Sequence, residues 1–230
     1  MKLRKKSIFS GYRFPKEVIM DAVYHKLRYS LSYREIEEIL FNKGIEVDHS
    51  TIQRWVEKFS CVLDMVFKKN KKPLTSSWYL DETYIKVNGK WMFYYRVIDR
   101  DNQTVDYMLS IRRNKKSVKR FLTKCFKNKT IPNMITIDKS GSNRYALKDY
   151  NKKNKKNTVS IRDVKYKNNR IEQDHRFIKK RINPMLGFKS IRSADHTLKG
   201  IEVVRMIQKN QYIHGNSMSN FEQFMSLLSA

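Results

Sequence analysis

A mixed α/β fold (an α+β mixed sheet) carried behind an all-α leading segment is what this sequence predicts, on three grounds. Up to about residue 66, apolar residues recur at helical spacing. From Trp78 the period switches to that of strands, and Asn88-Gly89 supplies a strong hairpin signal. Beyond residue 112, helical and short apolar segments alternate, as they do when helices flank a sheet.

Composition narrows the setting. The chain has 230 residues, enough to bury a sizeable core. Lys and Arg total 49 against 22 acidic residues, a net charge of +27. So large an excess repels itself in the folded state and calls for a polyanion, with nucleic acid the leading partner. A membrane is a poorer match, because no run approaches the roughly 18 apolar residues of a span. The basic start Met1-Lys2-Leu3-Arg4-Lys5-Lys6 is not followed by an apolar core of signal-peptide type. Cys61 and Cys125 are too few for a disulfide framework or a Cys-based zinc site, and point to a reducing cytoplasmic setting. Aromatic residues at 12% and apolar residues at 40% argue for a packed protein.

The leading segment reads as three helices. Pro15 suits a first turn, and Val18, Ile19, Ala22, Val23 and Leu27 form an apolar face. Ser32-Tyr33-Arg34-Glu35 has capping-box spacing before Ile36, Ile39 and Leu40, and Gly44 ends that helix. A cap at Asp48 or Ser50 opens a third helix through Phe59, with Ile52, Trp55, Val56 and Phe59 inward. This layout predicts a helix-turn-helix, with His49, Ser50, Thr51, Gln53 and Arg54 offered to the DNA major groove. Three-helix bundles share the periodicity, and the charge balance favours DNA. Residues 1–66 are thus expected to be a DNA-binding domain with a basic arm, and 67–77 a linker.

Residues 78–87, 90–99 and 104–111 then read as an antiparallel meander. A helix is expected at 114–126, a buried strand at Met134-Ile135-Thr136-Ile137, and a helix around 145–150. After the basic loop 152–157 come a strand at 159–161 and a charged helix over 165–180, whose apolar stripe is Ile171, Phe177 and Ile178. Residues 78–212 make the second domain, and 213–230 a tail helix whose Phe221, Phe224, Leu227 and Leu228 serve packing or self-association.

Three carboxylates stand out. Asp81 lies within an aromatic and β-branched strand, where an unpaired buried charge is costly. Asp138 ends the fourth strand, and a helix cap explains it as well as a functional role does. Glu172 shares a helix face with His175, Arg176 and Lys179; a solvated Glu172–Arg176 ion pair is the plain alternative. In a ribonuclease-H-like sheet the first and fourth strands are neighbours and a helix crosses beside them, so the three could converge. Such oxygen ligands suit Mg²⁺, and a pair of ions can serve in-line displacement at phosphorus. Glu82 is expected on the opposite face from Asp81, Asp174 at the surface, and His175 in a structural role. No Gly-x-Ser-x-Gly or phosphate-binding Gly loop occurs, so serine nucleophile schemes lack support.

Taken in order, several blocks resemble the insertion-sequence transposases of the IS-six family, a branch of the DDE transposases and integrases. They are Ser32-Tyr33-Arg34-Glu35, Val47-Asp48-His49-Ser50-Thr51-Ile52-Gln53-Arg54-Trp55-Val56 and Asp81-Glu82-Thr83-Tyr84-Ile85-Lys86-Val87-Asn88-Gly89-Lys90-Trp91. Asp138-Lys139, Asn168-Asn169-Arg170-Ile171-Glu172-Gln173-Asp174-His175, Leu186-Gly187-Phe188-Lys189-Ser190 and Gly200-Ile201-Glu202 follow. The resemblance implies a ribonuclease-H-like catalytic core and a metal-binding catalytic triad at Asp81, Asp138 and Glu172, holding two Mg²⁺ ions for which Mn²⁺ can substitute. The thirty-three residues between Asp138 and Glu172 suit that family's second spacing. It further implies that Lys179, with Arg176 beside it, contacts DNA near the reacting phosphate. The implied activity is binding of terminal inverted repeats, DNA cleavage and strand transfer with cointegrate products. Element ends and target DNA are the partners of a homodimer or higher assembly, in the bacterial cytoplasm at the nucleoid. A DNA-binding regulator with idle carboxylates and a structure-selective nuclease are the alternatives. The complete triad weighs against the first and the helix-turn-helix block against the second.

Overall fold

The leading helices form where their caps say they should. In a computed structural model that describes residues 7–127, 131–138, 140–164 and 168–228, Pro15 precedes α1 (Lys16–Arg28). Ser32 and Glu35 close a reciprocal capping box on α2 (Tyr33–Phe41), satisfying two orphan backbone donors. Gly44, with φ +74°, makes the turn, and Asp48 caps α3 (His49–Lys69) by accepting from the Ser50 amide at 2.8 Å. The basic arm of residues 1–6, Lys139 and residues 165–167 lie outside the described residues.

Next come β1 (Ser77–Val87), β2 (Lys90–Asp99) and β3 (Thr104–Ser110), joined by the predicted hairpin in which Asn88 and Gly89 both take positive φ. Asn114 caps α4 (Lys115–Phe126), and β4 (Met134–Ile137), α5 (Gly141–Lys153) and β5 (Ser160–Asp163) follow. The charged helix is α6 (Asn169–Ile182), continued by a 3-10 turn at Asn183–Met185. The chain ends in α7 (Ile191–Gln208) and α8 (Asn220–Ser226).

The sheet order is β3-β2-β1-β4-β5. The first three strands are antiparallel, and β1–β4 and β4–β5 are parallel, which is the ribonuclease-H-like arrangement. Because side chains alternate along a strand, the two faces of this sheet build two cores. Trp78, Leu80, Tyr95, Val97, Ile135 and Ile137 pack under α4 and α5. Ile85, Val87, Met92, Tyr94 and Tyr107 share the other core with the three leading helices and α6, α7 and α8.

Four features depart from the sequence expectation. The third helix does not stop near Phe59; it runs on to Lys69 and buries Leu63 and Phe67, entering the stretch expected to be a linker. Residues after it are tied down, with Lys72 N donating to Gln211 O at 2.8 Å and Ile213 N to Asn70 O at 3.0 Å. Helix α7 was not anticipated, yet it carries ten buried residues and lies against α3. The helical part of the tail is confined to Asn220–Ser226, and Phe224, Leu227 and Leu228 are buried against the leading helices, which is packing.

Gly200 lets α7 approach that closely. A Cβ there meets Ser60 Oγ at 2.5 Å and both Leu27 methyls at 2.6 Å, contacts no side chain tolerates without movement. Replacing a mid-helix glycine by alanine ordinarily gains about 1 kcal/mol. Overpacking costs about 1–3 kcal/mol, and here both α1 and α3 must yield. Gly200→Ala is therefore expected to lower stability by up to about 2 kcal/mol net, seen as a thermal midpoint up to several degrees below wild type. A midpoint at or above wild type would show that the three-helix contact has slack.

Candidate active site

Strand register brings the first two carboxylates together. In the parallel pairing of β1 with β4, Leu80 lies opposite Ile137, so Asp81 and Asp138 follow at the same level on adjoining strands. Neighbouring strands lie about 4.8 Å apart, so the two residues stand side by side, Asp81 within β1 and Asp138 just past the end of β4. Asp81 points to the α6 side of the sheet, where its Oδ2 lies 3.5 Å from His175 Nδ1. Glu172 is exposed in the first turn of α6, one turn before that histidine.

Electrostatics register the convergence. Burial first, then the charge of neighbouring Glu82, then those of Glu172 and Asp138 push the Asp81 carboxyl up to about 7. Among the described residues, the trio whose ligand atoms all lie within 4.8 Å of one another is Glu37, Asp48 and His49; Asp81, Asp138 and Glu172 are more widely spaced. Mutual repulsion of like charges favours that spacing. An all-carboxylate donor set, one member of which is pushed up to about 7 by burial and then by its neighbours' charge, fits a hard divalent cation.

The supports of the site were only partly visible in the sequence. Asn168 is fully buried just before α6, and its amide donates to Leu80 O, the carbonyl preceding Asp81, at 3.4 Å. Glu82 points to the opposite face from Asp81, as expected. Its side chain is nearly buried, paired with Arg113 and accepting from Asn143 Nδ2 at 3.2 Å. Asn143 sits at the start of α5, just beyond Asp138. Residues on either side of Asp81 thus hold the segments bearing the other two carboxylates.

Asp174 is not a surface charge, as the sequence suggested. It is 2% exposed and binds Arg96 Nη2 at 2.8 Å, Arg205 Nη2 at 2.7 Å and Lys209 Nζ at 2.7 Å. Burial alone would raise its pKa, but Arg96, Lys209 and Arg205 together hold the carboxyl well below the usual range. Arg96, directly opposite Asp81 on β2, is itself fully buried and grips Glu202 of α7 with Nε at 2.6 Å and Nη2 at 3.0 Å. A lone Arg in an otherwise apolar strand, and a Glu within Ile201-Glu202-Val203-Val204, were the available signals. His175 is buried as well, not on the exposed face with Glu172, and burial and then Arg96 depress it to about 3, so it is neutral at ordinary pH. Arg176 and Lys179 are exposed on the outer side of α6.

At the helix-turn-helix, Ser50, Gln53 and Arg54 are exposed at the start of α3, and Thr51 is half-buried. Arg54 Nη2 donates to Thr51 Oγ1 at 2.9 Å. His49 is engaged within the motif, with Nδ1 3.1 Å from Glu37 Oε2 and 3.5 Å from Asp48 Oδ2, a clasp between α2 and α3.

The perturbed Asp81 has a thermodynamic consequence. A group whose folded pKa exceeds its ordinary value, 3.8 here, stabilises fully below that value and loses the contribution as pH rises through about 7. In metal-free protein, the wild-type thermal midpoint is expected to fall relative to that of Asp81→Asn between about pH 4 and pH 7. Parallel melting curves across that window would count against a strained Asp81.

Similarity to known proteins extends over most of the chain. A family model described as a DDE domain matches residues 75–211. The transposase for insertion sequence-like element IS431mec of Staphylococcus aureus is 40% identical over 201 residues, covering 87% of this chain and 88% of that protein. The transposase for insertion sequence element IS257 in transposon Tn4003, also from Staphylococcus aureus, matches to the same extent. Among solved structures, the catalytic core domain of BIV integrase aligns over 66% of this chain and 95% of its own, with a TM-score of 0.45 at 13% identity. The HTLV-2 integrase catalytic core domain in complex with magnesium, in its dimeric form, covers 62% of this chain and 99% of its own, with a TM-score of 0.44 at 12% identity.

Proposed function

This chain belongs to the IS-six family of DDE insertion-sequence transposases, and from that premise we propose that Asp81, Asp138 and Glu172 are its catalytic triad. The activity is DNA cleavage and strand transfer in transposition. The observation that supports the triad best is the register of β1 on β4, with Asp81 and Asp138 at one level and α6 held against β1.

The triad oxygens would hold Mg²⁺, two ions per site in our reading, with Mn²⁺ an acceptable substitute. Bound there, the metal supplies Lewis-acid polarisation and stabilises charge on the attacking and leaving oxygens. The chain's own part is placement. Neutral His175 faces Asp81 Oδ2 and orients that carboxylate. Arg176, about 6 Å along the axis from Glu172, and Lys179, about 10.5 Å along it, present cations for phosphates flanking the scissile bond. Water cleaves the phosphodiester at the element end to free a 3′-hydroxyl, and that hydroxyl attacks a target phosphorus and displaces the target strand's 3′-oxygen, with no covalent protein–DNA intermediate.

His49, Ser50, Thr51, Gln53 and Arg54 read the terminal inverted repeat in the major groove, Arg54 with the longest reach. Holding two ends together calls for a homodimer or higher assembly, with cointegrates as products and the cytoplasmic nucleoid as the working location. Among the described residues, no helix is long and apolar enough to cross a membrane.

Two variants separate chemistry from recognition. Asp81→Ala is expected to bind element ends normally and to lose metal-dependent nicking and joining, measured on a labelled end with and without Mg²⁺. Strand transfer persisting in that variant would remove Asp81 from the triad. Arg54→Ala is expected to weaken binding to the end sequence by about 1–3 kcal/mol while binding to random duplex changes much less. Equal losses on both DNAs would reduce Arg54 to a phosphate contact.

A further inference from the structure

The hairpin that extends the Asp81 strand carries a surface that neither the triad nor the reader helix uses. Cross-strand register sets Tyr84 opposite Phe93 and Lys86 opposite Trp91, so these four side chains share one face. Tyr84 and Phe93 pack at 5.4 Å between ring centroids. Residues 186–188 then lie alongside: Phe188 N donates to Lys86 O at 2.9 Å, and Asn88 N to Phe188 O at 2.7 Å. This clamp holds Leu186 in left-handed backbone, φ +54°, beside the hairpin. The groove between them has a volume of about 250 Å³, and none of the residues lining it is acidic.

Three large apolar side chains are left in water there: Trp91 is 63% exposed, Tyr84 47% and Leu186 89%. Exposed Lys86 shares that face, Lys90 precedes Trp91 in the chain with its side chain on the opposite face, and exposed Lys189 follows Phe188 of the clamp. A second copy of the chain is a poor occupant, since it sets lysines against lysines in a protein of net charge +27. Duplex DNA satisfies the lysines but keeps its base faces stacked out of reach. An unpaired stretch offers both the phosphate charge and a free aromatic face.

We propose that the Trp91–Tyr84–Leu186 surface binds unpaired DNA, a nucleobase stacking on Trp91 while Lys86 takes an adjoining phosphate. This deepens the transposase reading by assigning a single-stranded segment of its DNA to the hairpin, and it rests on that reading. By strand rise, Trp91 stands about 17 Å along the hairpin from Asp81 and on the other face of the sheet, so an unpaired segment joining the two spans at least roughly five stacked nucleotides.

The tryptophans make the test direct. Trp55 and Trp78 are 3% and 1% exposed, so solvent-exposed tryptophan emission comes from Trp91. The full chain is titrated at one salt concentration with a single-stranded oligothymidylate and, separately, with a blunt duplex of equal length. The single strand is expected to quench the exposed emission and the duplex to leave it largely unchanged. Trp91→Ala and Leu186→Ser are expected to weaken single-strand binding by about tenfold for the former and less for the latter, with duplex affinity and thermal midpoint unchanged. Equal quenching by both DNAs, or full single-strand affinity in Trp91→Ala, would overturn the assignment. So would quenching that tracks protein concentration without DNA, which marks the patch as a self-association surface. Duplex binding and Mg²⁺-dependent nicking, run on the same preparation, show whether a flat single-strand titration sinks this proposal alone or the transposase reading with it.

Discussion

The buried guanidinium of Arg96 is the constraint around which the catalytic half of the molecule is arranged. A charge with no solvent access must find partners, and losing one leaves an uncompensated ion in the core. Arg96 finds Glu202 on α7 and Asp174 on α6, and Arg205 and Lys209 bind the same Asp174 carboxylate. One strand and two helices are thereby fixed in register by ionic contacts with little tolerance for sliding. The helix that bears Glu172 is therefore positioned from behind, by a residue two places further along it. Because Asp174 must turn inward to meet Arg96, Glu172 is left facing outward at the first turn.

Burial and charge then divide labour within that one helix. Asp174 and His175 are interior, and Arg176 and Lys179 are exposed. A flat reading of the heptad around Glu172 shows only alternating charges. The fold sorts them into an inner set that holds the helix and an outer set free to meet phosphate.

Legibility in the sequence followed the locality of the physics. Capping boxes, the Asn88-Gly89 turn and the period-two strands act over a few residues, and each was readable before any coordinates. The pairing of Asp81 with Asp138 was readable too, because sheet order limits which strands can adjoin. Helix α7 escaped because it is buried on most of its circumference: Ala194, Leu198, Ile201, Val203, Val204, Met206 and Ile207 do not trace one stripe. Asp174 was misplaced for the converse reason. Its partners lie on β2 and α7, 78 residues before it and 31 after it, and local charge density gave no hint of them. The stretch after Phe67 looked like a linker by composition, but its backbone groups pair with Gln211 and Ile213, which sequence spacing does not reveal.

Helix α3 belongs to two functions at once. Its first turns carry the exposed side chains proposed to read DNA, and its last turns lie in the same hydrophobic core as β1, α7 and α8, closed by the contact at Gly200. Reader and catalyst are consequently not modules joined by a tether. A recognition segment exchanged between two such proteins at the apparent linker would strip the sheet of part of its core. The exchangeable unit is the whole chain, and on the proposed reading new end specificity arises from substitutions on the exposed edge of α3 within an otherwise intact body.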